Sequence, residues 1–324
     1  VGLLDISGFS RFEVTGTNAE DWLDKVFACK LPKKGKASLA PMLSPSGKLK
    51  GDLTIFNWGD GSWWVMGSYY LRNWHMRWFS ENLTPNVFIR DLGEDYCGFS
   101  ISGPRSKELI RNLTDSEIGK LPFMGCGNYD IGLIQTKIGR LSVVGELGYE
   151  INCRMGDHIA LRRLLLENGK QFGIHEYGFN ALLSMRLEKS FGIWSAEYTQ
   201  GYTPGMTGLD RWINWQKNDF IGKKASYLEK TGNGPNQKLV TLEVESSDSD
   251  ASGFEPIWKN GKRVGFITSG GYGHRVQKSL AMGLINTDLA ESGEEIDVHI
   301  VGKEKKAKII PVSPYDPKGE LMRA

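Results

Sequence analysis

The chain has 324 residues, of which 40% are hydrophobic and 24% charged, with a formal net charge of +2. That length accommodates two or three domains with real cores. The scattered Lys and Arg offer no basic face for nucleic acid or an acidic membrane, and no apolar run reaches the ~18 residues of a membrane span. Cys29, Cys97, Cys126 and Cys153 form no CxxC pair and the five histidines are dispersed, so no metal site is expected and the thiols fit a reducing compartment.

The opening residues, VGLLDIS, read as a strand entering a domain rather than a signal peptide, which suggests a chain beginning inside a longer polypeptide. FEVTGTNAEDWLDKVF then predicts a short strand, a turn at Gly16 and an amphipathic helix. Next, SPSGKLKGDLTIFNW is a turn feeding a β-branched run with Asp52 at its mouth. YLRNWHMRWFSENL predicts a second helix.

An echo follows. FSISGPRSKELIRNL repeats strand, glycine and helix around Gly103, and Trp22, Leu23 and Val26 fall opposite Leu109, Ile110 and Leu113. Pro104 is placed at the first helical position, where proline is best tolerated. VVGELGYEINC reads as a strand interrupted by glycines. Glu146 and Glu150 share a face of it unless Gly148 makes a bulge. HIALRRLLLENGKQFG supplies the matching second helix, so two similar α/β lobes facing each other are expected.

EYGFNALLSMRLEKSFGIW predicts a further helix, with Arg186 and Glu188 as an ion pair bracing two helices. GKKASYLEKTGNGPNQK looks like a linker. Short strands then follow from about Gln237, with Asn260-Gly261 as a two-residue hairpin and the glycine-rich residues 269–273 as a tight turn. The expected fold class is α+β: two α/β lobes (1–97 and 98–234) and a C-terminal antiparallel β-barrel (235–324).

No GxGxxG follows a strand and there is no Walker loop, so this stretch should carry neither dinucleotide nor flavin. Nor does any GxSxG or HExxH suggest nucleophilic or metal hydrolysis. Two carboxylates stand out by context, Asp52 at a fixed strand entry and Glu150 among glycines, although turn and surface acids are usually only solvated. The ten tryptophans read mostly as core, with flat rings that could also stack on a heteroaromatic ligand.

These segments carry a resemblance. GRLSVVGELGYEI resembles the GYTGExGxEI signature of the aminomethyltransferase (T-protein) family of the glycine cleavage system. LAPMLSPSGKLKGDLTIF, SMRLEKSFGIW, KNDFIGKKA and GFITSGGYGHRVQKSLAMGLI resemble its other segments in the right order over essentially the whole chain. GELGYEINC, RLEKSFGIWSAEYTQGYTPGMTGLDRW and SPYDPKGELMRA are most similar to the C-terminal half of dimethylglycine and sarcosine dehydrogenases, whose N-terminal half binds flavin.

The resemblance implies a three-domain ring around a central tetrahydrofolate cavity, with FAD only on a separate or missing half. It implies Asp52 beside the reacting nitrogens as catalytic anion, Glu150 as reader of the pterin, and Arg186 and Tyr198 as further cofactor-binding residues. Val143 stands where the family usually has Tyr or Phe, which puts the packing of the pterin in doubt. The implied partners are a flavin-dependent oxidoreductase half and a small amine, with no nucleic acid and no membrane, in a cytoplasm or mitochondrial matrix. The implied activity captures the methylene of an N-methylglycine iminium on tetrahydrofolate. Alternatives are a stand-alone aminomethyltransferase, a sulfonium demethylase, or a folate-binding scaffold without turnover.

Overall fold

The computed structural model describes residues 1–114 and 117–324. In the first lobe the order is β2 (Ser10–Thr15), α1 (Ala19–Val26), β3 (Lys36–Leu43), β4 (Leu49–Asn57), β5 (Trp63–Gly67), α2 (Arg72–Glu81) and β6 (Phe88–Asp91). The second lobe repeats that order with β7 (Tyr96–Ser102), α3 (Ser106–Leu113), β8 (Cys126–Ile131), β9 (Ile134–Gly139), β10 (Gly148–Arg154), α4 (His158–Gly169) and β11 (His175–Glu176). The echo in the sequence is therefore an echo in topology. The first sheet runs β3-β4-β5-β2-β6, and the second runs β8-β9-β10-β7 before adding the N-terminal strand β1 (Gly2–Asp5) and β11. β1, which its place in the chain assigns to the first lobe, is thus an inner strand of the second sheet, antiparallel to β7.

Each lobe buries one side of its sheet under its helices. Trp22, Leu23 and Val26 of α1 are buried with Leu53 and Ile55 of β4, and Leu109, Ile110 and Leu113 of α3 with Ile151 and Cys153 of β10. At ~2 kcal/mol for each fully buried large side chain, these helix faces are major stabilising contacts. Gly16 and Gly103 turn the chain into these helices at φ of 111° and 128°, a region that favours glycine. The second helix starts at Ser106, so Pro104 lies in the turn before it rather than at its first position.

α5 (Phe179–Glu188) and α6 (Pro204–Thr207) lead toward the barrel. The segment read as a linker contains a helix, α7 (Lys223–Thr231). It forms because its Ala225 and Ser226 pack beneath the turn at Gly47, a tertiary contact that local composition does not reveal. The barrel itself is closed, in the order β12-β15-β14-β13-β16-β17. Its strands are β12 (Gln237–Val244), β13 (Pro256–Lys259), β14 (Lys262–Gly273), β15 (Lys278–Asn286), β16 (Glu295–Ile300) and β17 (Lys303–Ile310). Asn260 and Gly261 make the two-residue hairpin, both at positive φ. Residues 269–273 are not a turn. They continue β14 beyond a bulge between Ile267 and Ser269, because pairing with β15 satisfies their backbone groups better than a turn would. Among the described residues, no helix is long and apolar enough to cross a membrane.

Candidate active site

Strand alternation fixes where the two acids point. On β4, Leu53 and Ile55 face the helices of the first lobe, while Phe56 faces the other way, into a cluster with Trp58, Trp64, Tyr96 and Leu141 between the lobes. Asp52 shares the face of Phe56. On β10, Tyr149, Ile151 and Cys153 face the core of the second lobe, so Glu150 and Asn152 project from the opposite face. Both carboxylates therefore leave their sheets on the sides that face the other lobe.

Arg11 of β2 spans the gap. It is fully buried and donates from Nε to Asn152 Oδ1 at 2.8 Å, and to the carbonyls of Ile6 (3.0 Å), Ser7 (3.1 Å) and Phe9 (2.8 Å). Burial lowers its pKa to about 10, with the charge of Glu150 acting against that shift. Glu150 in turn is buried, and desolvation pushes its carboxyl up to about 7 against the pull of Arg11. Among the described residues, no hydrogen bond contributes to its charge state.

Among the described residues no cation acts on Asp52. Desolvation raises its carboxyl to about 7, and only its own backbone N–H opposes this. The loop after α5 closes over the strand entry: Leu49 donates its N–H to Tyr202 O at 2.9 Å, and Trp194 and Tyr198 are buried with Leu43, Leu49 and Leu71. Lys50, two residues away, is held elsewhere, with its ammonium 4.2 Å from the centre of the Trp74 ring and 4.8 Å from that of Trp78. A buried His75 lies under Gly51, driven by desolvation to a pKa of about 4 and hence neutral at pH 7.

The remaining expected site residues divide. Tyr198 is buried beside Asp52; desolvation, reinforced by that carboxylate, raises its phenol to about 12, and its oxygen accepts from Gly192 N–H at 3.2 Å. Val143 lies in the loop between β9 and β10 and is 40% exposed. Arg186 does not pair with Glu188. Its Nη1 donates to the buried Glu197 at 2.9 Å and to Phe191 O at 3.0 Å, while Glu188 accepts from the backbone N–H groups of Arg275 and Val276. Glu197 also accepts from Ile193 N–H and from the hydroxyls of Thr268 and Ser269 in the barrel. Four donors from three segments hold it better than one helical neighbour could hold Arg186. A cavity of about 370 Å³ between α5 and β14 is lined by Arg186 but by neither Asp52 nor Glu150.

Sequence reasoning missed Arg11, Asn152, His75 and Glu197. Arg11 and Asn152 left a faint signal, as polar residues alternating with apolar ones in SRFEVT and YEINC. Glu197 and His75 left none.

What the facing sheets present is two carboxylates raised by burial, one on each lobe, with Arg11 acting on Glu150. Comparison with known proteins agrees. The GCVT N-terminal domain model matches residues 1–217, and the glycine cleavage T-protein C-terminal barrel domain model matches residues 237–316. Mitochondrial dimethylglycine dehydrogenase from Mus musculus is 32% identical over 316 residues, covering 96% of this chain but 36% of that protein. The chain thus spans about a third of the length of these relatives. Aminomethyltransferase from Bacillus subtilis (strain 168) is 28% identical, covering 97% of this chain and 87% of its own length. The crystal structure of glycine cleavage system aminomethyltransferase T from Bartonella henselae superposes with a TM-score of 0.88 at 22% identity, over 98% of this chain and 86% of that one, which shows the shared fold. The chain belongs to the glycine cleavage T-protein family, the folate-dependent aminomethyltransferases.

Proposed function

We propose that this chain captures, on tetrahydrofolate, the methylene of an iminium produced by oxidation of an N-methylated glycine, giving 5,10-methylene-tetrahydrofolate. It acts as the folate-dependent part of a dimethylglycine or sarcosine dehydrogenase, beside a flavin-dependent oxidoreductase half and in a cytoplasm or mitochondrial matrix. The observation that carries the reading is the presence of two carboxylates raised by burial on facing sheets, Glu150 with Arg11 acting on it and Asp52 with no cation acting on it. The similarity to dimethylglycine dehydrogenases over nearly the whole chain supports the choice of donor.

The residues fit a reduced pterin. Glu150 offers two acceptor oxygens to the adjacent N–H and NH₂ groups of the ring, a charge-assisted pair with fixed geometry. Arg11, behind it, opposes the protonation that burial favours and so keeps Glu150 an acceptor. When bound, tetrahydrofolate supplies a nucleophilic nitrogen for the methylene carbon. Asp52 stabilises positive charge on the iminium and accepts the proton released as the new carbon–nitrogen bond forms. It returns that proton to the glycine nitrogen, whose bond to the methylene carbon breaks so that it leaves as the free amine, a cycle for which a pKa near 7 is well matched. With water excluded, that attraction is much stronger than in bulk solvent, and comparable electrostatic groups contribute about 10²–10³-fold in rate. Tyr198 and Trp194 close the entry and limit loss of the carbon to water.

The second reading, a stand-alone aminomethyltransferase, is favoured by one observation: the aminomethyltransferase of Bacillus subtilis is 28% identical over 97% of this chain. The source of the carbon separates the readings, because both give the same folate product. With methyl-¹³C dimethylglycine, a flavin-dependent dehydrogenase and tetrahydrofolate, the proposal requires labelled 5,10-methylene-tetrahydrofolate that depends on this chain. Label released only as formaldehyde, or a 5-methyl product from a sulfonium donor, would refute it.

A further inference from the structure

The segment following the barrel, residues 311–324, folds back over the second lobe. Ser313 donates its N–H to Ser190 Oγ at 2.8 Å and its hydroxyl to Lys189 O at 3.1 Å. Tyr315 N–H donates to Glu188 O at 3.0 Å. Lys189, buried at the end of α5, donates from Nζ to Tyr315 O at 2.8 Å and Asp316 O at 2.7 Å. A lysine committed to two backbone carbonyls in a desolvated place anchors a segment firmly.

From that anchor the segment reaches the loop joining β9 to β10, residues 140–147, at two points, and the anchoring Lys189 touches it at a third. The Tyr315 hydroxyl donates to the Glu146 carboxylate. Arg140 donates to the carbonyl of Ala324. Gly145, at φ 83°, lies so close to Lys189 that a Cβ there would be 2.5 Å from Cδ. This loop carries Val143 and runs directly into β10, the strand of Glu150. It has little secondary structure of its own, so its position is set by what grips it.

We propose that residues 313–324 form a strap that sets the position of the loop facing the folate, with Tyr315 as a positioning residue acting through Glu146 and Lys189 as the anchor of the strap. The inference rests on the functional reading above in one respect, the placement of Val143 and Glu150 beside the pterin. The strap belongs to neither carboxylate's chemistry. Its consequence is therefore an effect on folate binding with the chemical step left intact, because Asp52 sits on the other lobe.

The test compares wild type with Tyr315→Phe and Glu146→Gln by two measurements. Hydrogen exchange of amides 140–147 in the ligand-free chain reads the grip itself. Titration with tetrahydrofolate, together with turnover at saturating folate, reads its effect. Tyr315→Phe is expected to speed exchange in the loop and weaken tetrahydrofolate binding about tenfold, the loss of one charge-assisted hydrogen bond, with kcat unchanged. Glu146→Gln keeps an acceptor for the phenol and is expected to stay near wild type. Unchanged loop exchange in Tyr315→Phe overturns the proposal, and so does faster exchange with unaltered folate affinity. If the wild type binds no tetrahydrofolate, the functional reading falls, and the exchange data alone decide whether Tyr315 holds the loop.

Discussion

Arg11 of the first lobe donates to Asn152 of the second across 2.8 Å, two residues along β10 from Glu150. One buried guanidinium thus joins the lobes and supplies the positive charge nearest the proposed pterin reader. Arg11→Met leaves Asn152 and three carbonyls without their donor, and is expected to cost on the order of 3–5 kcal/mol in urea unfolding. Arg11→Lys keeps the charge without the fork and should fall between it and wild type. A neutral effect of Arg11→Met on stability would show that the lobes are held by apolar packing alone.

Asp52 makes stability depend on pH in a direction opposite to that of a paired carboxylate. Its ordinary pKa is 3.8 and burial raises it to about 7, so the folded chain binds a proton that the unfolded chain has released. The stability this gives is full below about pH 4 and is lost as pH rises through 7. Asp52→Asn cannot ionise. It is expected to raise Tm by several degrees at pH 8 and to leave it nearly unchanged at pH 4, measured by calorimetry on the ligand-free chain. Equal shifts at both pH values would contradict a desolvated, unpaired carboxylate.

Gly51 is required for space. A Cβ there would lie 2.3 Å from Leu53 Cδ1 and 2.9 Å from His75 Nε2. Gly51→Ala should destabilise by roughly 1–3 kcal/mol through overpacking and disturb Asp52, its neighbour. A double variant Gly51→Ala with His75→Ala recovers part of that stability if the histidine ring is the obstacle.

The pair Arg186–Glu197 is 2.9 Å long and almost wholly buried. Removing either partner alone should cost about 3–5 kcal/mol, whereas Arg186→Met with Glu197→Gln together should cost less than the two single changes summed. Strict additivity in chemical unfolding would mean that the two groups do not support each other.

Much of the architecture could be read from local pattern. The amphipathic spacing of Trp22, Leu23 and Val26 and its repeat at Leu109, Ile110 and Leu113 located the doubled lobe, and Asn260-Gly261 located a barrel hairpin. What escaped depends on distant residues. The helix Lys223–Thr231 is stabilised by the turn at Gly47, and composition alone made it a linker. Arg186 and Glu188 were expected to form an ion pair, but the tertiary fold pairs Arg186 with Glu197 instead. Asp52 and Glu150 stood out by context, and only the facing of the two sheets shows that burial raises both carboxyls, with Arg11 opposing the shift at Glu150.

The measurement that tests the central claim most directly is calorimetric titration of this chain with tetrahydrofolate, in wild type, Glu150→Gln and Asp52→Asn. The account predicts saturable one-to-one binding in wild type, loss of at least tenfold in affinity for Glu150→Gln, and retention of binding by Asp52→Asn with turnover lowered about 10²–10³-fold. Equal affinity in wild type and Glu150→Gln would contradict the assignment of Glu150, and no binding by the wild type would contradict the folate site itself.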